Sequence, residues 1–249
     1  MTTTTHDLAA VLRTKIERAI ANHPRSLQDA LGPSQLGTAC DRCLVNLLAG
    51  HKPLEGHAPW LPTIGTAVHT WLEDAMRLAA WMDDDGDRWH IEERVVVGDL
   101  GGVPVTGSTD LFDAATGTVV DYKCVGTTTL RKVRSSGPSL TYQRQAHLYG
   151  KGWQDAGHDV STVLIYFLPR NAVTLDAAHV WSAPYDRAVA ETTLTRANAL
   201  AAGIAALGAD TVLGSTPPHT GEEFACGKFP TDPPADVAGV SADAYLGLG

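Results

Sequence analysis

The chain holds 249 residues, 44% of them apolar and 19% charged. That balance is ordinary for a globular protein and excludes a wholly disordered chain, and no apolar run approaches the roughly 18 residues of a membrane span. The net charge of -9, from 28 Asp and Glu against 19 Lys and Arg, argues against indiscriminate coating of nucleic acid.

Apolar positions predict the elements in chain order. Leu8, Val11, Leu12, Ile16 and Ile20 lie on one stripe of a helix over residues 6–22. A second helix is expected after Ser34, carrying Ala39, Cys40, Cys43, Leu44 and Leu47 and stopping at Gly50. The proline-rich stretch from His51 to Pro62 reads as a loop. A longer helix from about Thr63 to Trp81 follows, with Val68, Leu72, Ala75, Met76 and Ala79 on its apolar side.

The period then changes. Ile91 to Val97, Val103 to Asp113 and Thr118 to Val125 read as an antiparallel meander. After a basic loop containing Gly and Ser, Leu140 to Gly157 is helical. Thr162 to Leu168 reads as a strand buried on both faces, His179 to Ser182 as an edge strand, and Pro184 opens a last helix to about Leu207. The fold class expected is α/β of the α+β type, a mixed sheet flanked by helices. The division expected is a helical lead over 1–62, a core over 63–213 and a loop-rich tail over 214–249. The four cysteines form no disulfide framework, and Met1 to His6 lacks the basic and apolar parts of a secretory signal. A reducing, cytoplasmic setting with no membrane partner is therefore expected.

The chemistry concentrates in the meander. Alternation along Val119 to Val125 projects Asp121 and Lys123 to one face and Tyr122 and Cys124 to the other. A hairpin turning near 114–118 would bring Asp110, eleven residues upstream, beside Asp121. Two adjacent carboxylates repel unless a proton or cation lies between them, and an oxygen-rich pair beside a lysine suits Mg²⁺ or Mn²⁺. Two surface aspartates and a salt-bridging lysine would read the same at these positions alone. His69, with Glu73 one helical turn on, and Gln145, with Tyr149 on one face of the next helix, are weak signals singly. From Lys123 to Arg170 seven basic residues stand against two acidic ones, a segment of +5 in a remainder of -14. Such a run is either a solvated face or a surface for a polyanion.

Taken in order, Ser34 with Cys40 and Arg42, Gly65 with His69, Gly107 with Asp110, Asp121 with Lys123, and Gln145 with Tyr149 resemble the motifs of the PD-(D/E)XK nuclease superfamily, in its RecB-like branch. The resemblance spans about residues 34 to 149. It implies a restriction-endonuclease-like core and metal-dependent hydrolysis of DNA, with an exonuclease favoured over an endonuclease, in recombination, repair or end processing in a bacterial or phage-infected cell. It further implies that Asp110, Asp121, the Tyr122 carbonyl and His69 hold Mg²⁺ or Mn²⁺. Lys123 would orient the attacking water, and Gln145 and Tyr149 would support the site. Glu73 would back His69, and Gly107 would allow close approach near the metal. Arg131, Lys132, Arg134 and Arg144 would contact DNA phosphates. A helicase or a single-strand annealing protein is the partner implied.

Several nucleases of that branch also hold a four-iron cluster on four cysteines, one before the core and three after it. This chain instead offers Cys40, Cys43 and Cys226, with His219 as a fourth ligand if the metal is zinc. Cys124 is expected in packing. The competing functional readings are a non-catalytic DNA-binding module on the same fold and an interaction module stabilised by zinc or an iron–sulfur cluster. No phosphate-loop, helicase or serine-hydrolase motif is present.

Overall fold

The structure, a computed structural model, describes residues 5–23, 30–54, 60–221, 223 and 225–229. Four helices lead: α1 (Thr5–Ala21), α2 (Pro33–Leu36), α3 (Asp41–Leu48) and α4 (Trp60–Met82). The meander follows as β1 (Trp89–Leu100), β2 (Val103–Asp113) and β3 (Thr118–Val125). Next come α5 (Thr127–Ser136), α6 (Leu140–Asp155), β4 (Thr162–Pro169), β5 (His179–Pro184), α7 (Arg187–Leu207) and α8 (Ala209–Ser215). The five strands form one sheet in the order β1-β2-β3-β4-β5. All neighbours are antiparallel except β3 and β4, which run parallel and are joined through α5 and α6. The mixed sheet expected from the sequence is therefore present. No helix of the described residues is long and apolar enough to cross a membrane.

Both faces of the sheet are covered. On one face Val97, Phe112, Val119, Ile165 and Phe167 pack with Leu148 and Trp153 of α6 and with Ala190 and Leu194 of α7. Each fully buried large side chain there contributes about 1.5–3 kcal/mol relative to exposure. On the other face Ile91, Leu111, Tyr122 and Leu168 meet α4 through Ala80, with Val68, Leu72 and Met76 half-buried against them. In β4, Val163, Ile165 and Phe167 are fully buried while Leu164 and Tyr166 are half-buried, so its two faces are unequal.

Several elements depart from the sequence expectation. The helix expected after Ser34 is broken into α2 and α3 at residues 37–40. A Cβ on Gly37 would stand 2.8 Å from the Thr141 carbonyl oxygen, and Arg196 draws the Thr38 and Ala39 carbonyls outward with bonds of 2.8 and 3.3 Å. Those carbonyls take guanidinium donors in place of helical amides. The basic loop is largely a helix, α5, whose Leu130 and Val133 are buried one turn apart. Residues 209–215 form α8, where Val212 and Leu213 pack on Val45. Pro184 ends β5, and α7 is capped by Asp186, whose carboxylate accepts from the Ala188 amide at 2.9 Å. On α1 the predicted stripe exists, but Leu8, Val11, Leu12 and Ile16 stay about half exposed and only Ile20 is buried. Part of the expected loop over 51–62 and most of the tail over 214–249 lie outside the described residues.

Candidate active site

The site grows from a fault in strand alternation. Thr109 Oγ1 accepts from Trp153 Nε1 of α6 at 3.1 Å, and Phe112 stacks on the same indole, so both face α6. Leu111 between them joins the α4 face. Alternation along β2 therefore slips at Asp110. Across from it, β1 pairs Ile91 with Leu111 and Glu93 with Thr109, leaving Glu92 opposite Asp110 at a φ of 52°. A non-glycine residue in that left-handed region costs on the order of 1–3 kcal/mol. Ser108 Oγ steadies it by donating to Glu92 Oε2 at 2.9 Å.

The β2–β3 ladder stops at Leu111 and Val120. The next step would set Asp110 against Asp121, but there the Asp110 carboxylate takes the backbone. Tyr122 N donates to Asp110 Oδ2 at 2.6 Å, and His69 Nδ1 lies 3.1 Å from Asp110 Oδ1. His69 comes from α4, the helix covering that sheet face. Glu92, Asp110 and His69 can each present one ligand atom within 4.8 Å of the others. Beside them Lys123 Nζ lies 2.6 Å from Asp121 Oδ2. Gln145 Nε2 donates to Asp121 Oδ1 at 3.2 Å, and Tyr149 is buried against Gln145 on α6. The Lys123 ammonium also sits 5.1 Å over the Tyr142 ring.

Charge is concentrated there with little water to screen it. Burial pushes Asp121 up to about 6, against the pull of Lys123. Burial and then the charge of Asp110 raise Glu92, and the bond to Asp110 raises His69. Burial works against the Lys123 ammonium, but Asp121 and Asp110 more than offset it and leave the group raised. Burial and the same carboxylates raise the Tyr149 phenol. Two carboxylates and an imidazole able to meet at one ion, beside the buried Asp121 and Lys123 pair, form a donor set that fits a hard divalent cation.

The structure thus brings His69, Asp110, Asp121, Tyr122, Lys123, Gln145 and Tyr149 together. The contact recorded at Tyr122 is its amide on Asp110. Glu73 accepts from Arg77 at 2.9 Å, and the His69 Nδ1 partner is Asp110 rather than Glu73. Gly107 makes room for protein rather than for an ion: a Cβ there would fall 2.7 Å from the Pro33 ring and 2.9 Å from the Tyr149 ring. Arg144 turns inward, 3.3 Å from the Thr38 carbonyl and 3.5 Å from that of Gly37, so the turn before α3 occupies the guanidinium assigned to phosphate. Arg42 likewise donates to the Leu213 carbonyl at 3.0 Å, and Ser34 is exposed.

Arg131 and Lys132 project outward from α5, and Arg134, also exposed, donates to the Ala177 carbonyl at 2.6 Å. Cys40, Cys43 and Cys226 converge with His219 beside α3, and Cys124 is half-buried on β3. Glu92 is the site residue that sequence reasoning missed. The hairpin turning at Gly101 and Gly102 would by itself set Glu92 against Leu111, and the register shift between Val96 and Gly98 brings it opposite Asp110 instead, which hid it from sequence reasoning.

No protein-family model matches the chain, and no curated protein sequence matches it. Among solved structures the chain is similar to an alkaline exonuclease (LHK-Exo) from Laribacter hongkongensis, at 14% identity and a TM-score of 0.47, over 75% of this chain and 93% of that one. Against LHK-Exo in complex with dAMP the identity is 13% and the TM-score 0.48, over the same shares. It is also similar to a phage related exonuclease from Haemophilus somnus 129PT, at 15% identity and a TM-score of 0.44, over 82% of this chain and 95% of that one. The mixed sheet, with α4 on one face and α6 and α7 on the other, is the α+β arrangement expected from the sequence.

Proposed function

We propose that this chain is a metal-dependent deoxyribonuclease of the PD-(D/E)XK type that hydrolyses phosphodiester bonds, as an exonuclease in preference to an endonuclease. The observation that carries the reading is the convergence of His69, Glu92 and Asp110 beside the buried Asp121 and Lys123 pair. A binding module would gain nothing from crowding three carboxylates where a phosphate backbone must approach, since that arrangement repels DNA unless a cation intervenes.

His69, Glu92, Asp110 and Asp121 would hold Mg²⁺ or Mn²⁺, which when bound supplies Lewis-acid polarisation of the phosphoryl group and a lowered pKa for water. Lys123, held by Asp121, donates to the attacking water and offsets the charge that builds on the phosphoryl oxygens. Gln145 fixes the other Asp121 oxygen, and Tyr149 packs behind Gln145. Arg131 and Lys132, exposed on the helix that follows β3, would take backbone phosphates without reading sequence. Exonuclease action rests on the family resemblance of the motifs.

The test is incubation of the protein with end-labelled linear and covalently closed circular DNA, single- and double-stranded, with Mg²⁺ or Mn²⁺ and with a chelator. Loss of linear DNA alone, stopped by the chelator, is the outcome expected. Cutting of circles would make it an endonuclease at the same residues, and absence of metal-dependent cleavage on every substrate would overturn the reading.

A further inference from the structure

A second group of metal-binding side chains lies on α3, outside the sheet. Cys40 is the N-cap of α3 and Cys43 stands at its third residue, and both are buried. His219 and Cys226 come from the chain after α8 and complete the cluster. His219 Nδ1 lies 3.4 Å from both the Cys40 and Cys43 sulfurs, and the Cys43 and Cys226 sulfurs are 3.6 Å apart. The sulfur pair is far beyond the roughly 2.05 Å of a disulfide. A tetrahedron with Zn–S of about 2.3 Å and Zn–N of about 2.0–2.1 Å has S···S edges near 3.8 Å and S···N edges near 3.5 Å. The three separations of 3.4, 3.4 and 3.6 Å are close to those edges, and all four ligand atoms lie within 4.8 Å of one another. An iron–sulfur cluster of four irons places each thiolate on a different iron, at the corners of a much larger figure.

The surroundings suit a closed structural site. Backbone hydrogen bonds from Cys43 and Thr220 reach the Cys40 sulfur and favour its thiolate. Gly227, at a φ of 72°, turns the chain directly after Cys226. Phe229 is buried beside Cys40 and Cys43, and the Lys228 carbonyl accepts from Leu54 N at 2.6 Å. From the same segment Glu223 accepts from Ala39 N at 2.9 Å and from Thr141 Oγ1, at the start of the helix that carries Gln145 and Tyr149.

We propose that Cys40, Cys43, His219 and Cys226 bind one Zn²⁺ that fastens the segment after α8 to α3, as a structural site distinct from the sheet carboxylates. Three thiolates and an imidazole match the softness of zinc, and four protein ligands leave no open position for chemistry.

The experiment is metal analysis by mass spectrometry of the full chain, purified without added metal or chelator, together with its visible absorbance and its reactivity with a thiol reagent. One zinc per chain is expected, with Cys124 alone reactive until a strong chelator exposes the other three cysteines and lowers the melting temperature. Cys226→Ser should lose the zinc, whereas His219→Cys, Cys124→Ser and Asp110→Ala should keep it. His219→Cys guards against a variant that merely fails to fold, and Asp110→Ala separates this site from the one on the sheet. A cooperatively melting protein that holds no zinc and takes none up on titration would overturn the proposal. So would bound iron with the broad visible absorbance of a cluster, or zinc that is lost with Asp110→Ala and retained in Cys226→Ser.

Discussion

Glu92 stands in a left-handed conformation that its side chain disfavours, and it does so where its carboxylate faces Asp110 and His69. Strain of that kind at a cluster of ligands is expected of a functional position. Glu92→Gln removes the charge and keeps the shape. It should raise the Mg²⁺ or Mn²⁺ concentration needed for half-maximal cleavage while leaving the urea midpoint near that of wild type. An unchanged metal titration would remove Glu92 from the ligand set. Gly107 makes a different demand, because Pro33 and Tyr149 fill the space that a side chain would need. Gly107→Ala should cost about 1–3 kcal/mol by overpacking, read from urea unfolding.

Asp113 gives a pH signature away from the ligands. The bond from Arg88, at 2.7 Å, holds its carboxyl down to about 2, with further bonds from Thr116 and the Ala115 amide, against a burial that opposes them. A carboxyl depressed in the folded state contributes stability above its unfolded pKa of about 4 and loses it as pH falls towards 2. Arg88→Ala should therefore lower the urea midpoint at pH 5 and flatten its fall between about pH 4 and 2. Parallel acid limbs in the two proteins would contradict this.

At the scale of elements, the strands and long helices were legible because their apolar periods are strong and their ends carry turn residues. Asp121 with Lys123 was legible for the same reason, since both side chains follow strand alternation to one side. Asp110 was reached through the hairpin pairing with β3, although the slip in alternation at Asp110, which leaves the β1 register unbroken there, has no mark in composition. The break at residues 37–40 was invisible because it depends on Arg196, more than 150 residues away. Helix α5 was hidden by its small and basic residues, with only Leu130 and Val133 to declare a buried side. Its exposed cations make a further prediction. Arg131→Glu with Lys132→Glu should weaken DNA binding and reduce its salt dependence by about one phosphate contact per residue, while cleavage at saturating DNA persists. Unaltered affinity in a low-salt filter-binding or anisotropy titration would assign α5 to solvent.

Across the whole molecule, the sheet is a platform with α4 supplying His69 from one face and α6 supplying Gln145 and Tyr149 from the other. The lead helices and the segment after α8 brace α6 from outside through Thr141, Glu223 and the cysteine cluster. The motif residues therefore depend on contacts spread over most of the described chain. The most direct measurement is single-turnover cleavage of linear double-stranded DNA with Mg²⁺, comparing wild type, Asp110→Ala and Lys123→Ala at equal fold and equal DNA affinity. Cleavage by wild type and a loss on the order of 100-fold or more in each variant are expected. Wild-type rates in either variant would contradict this.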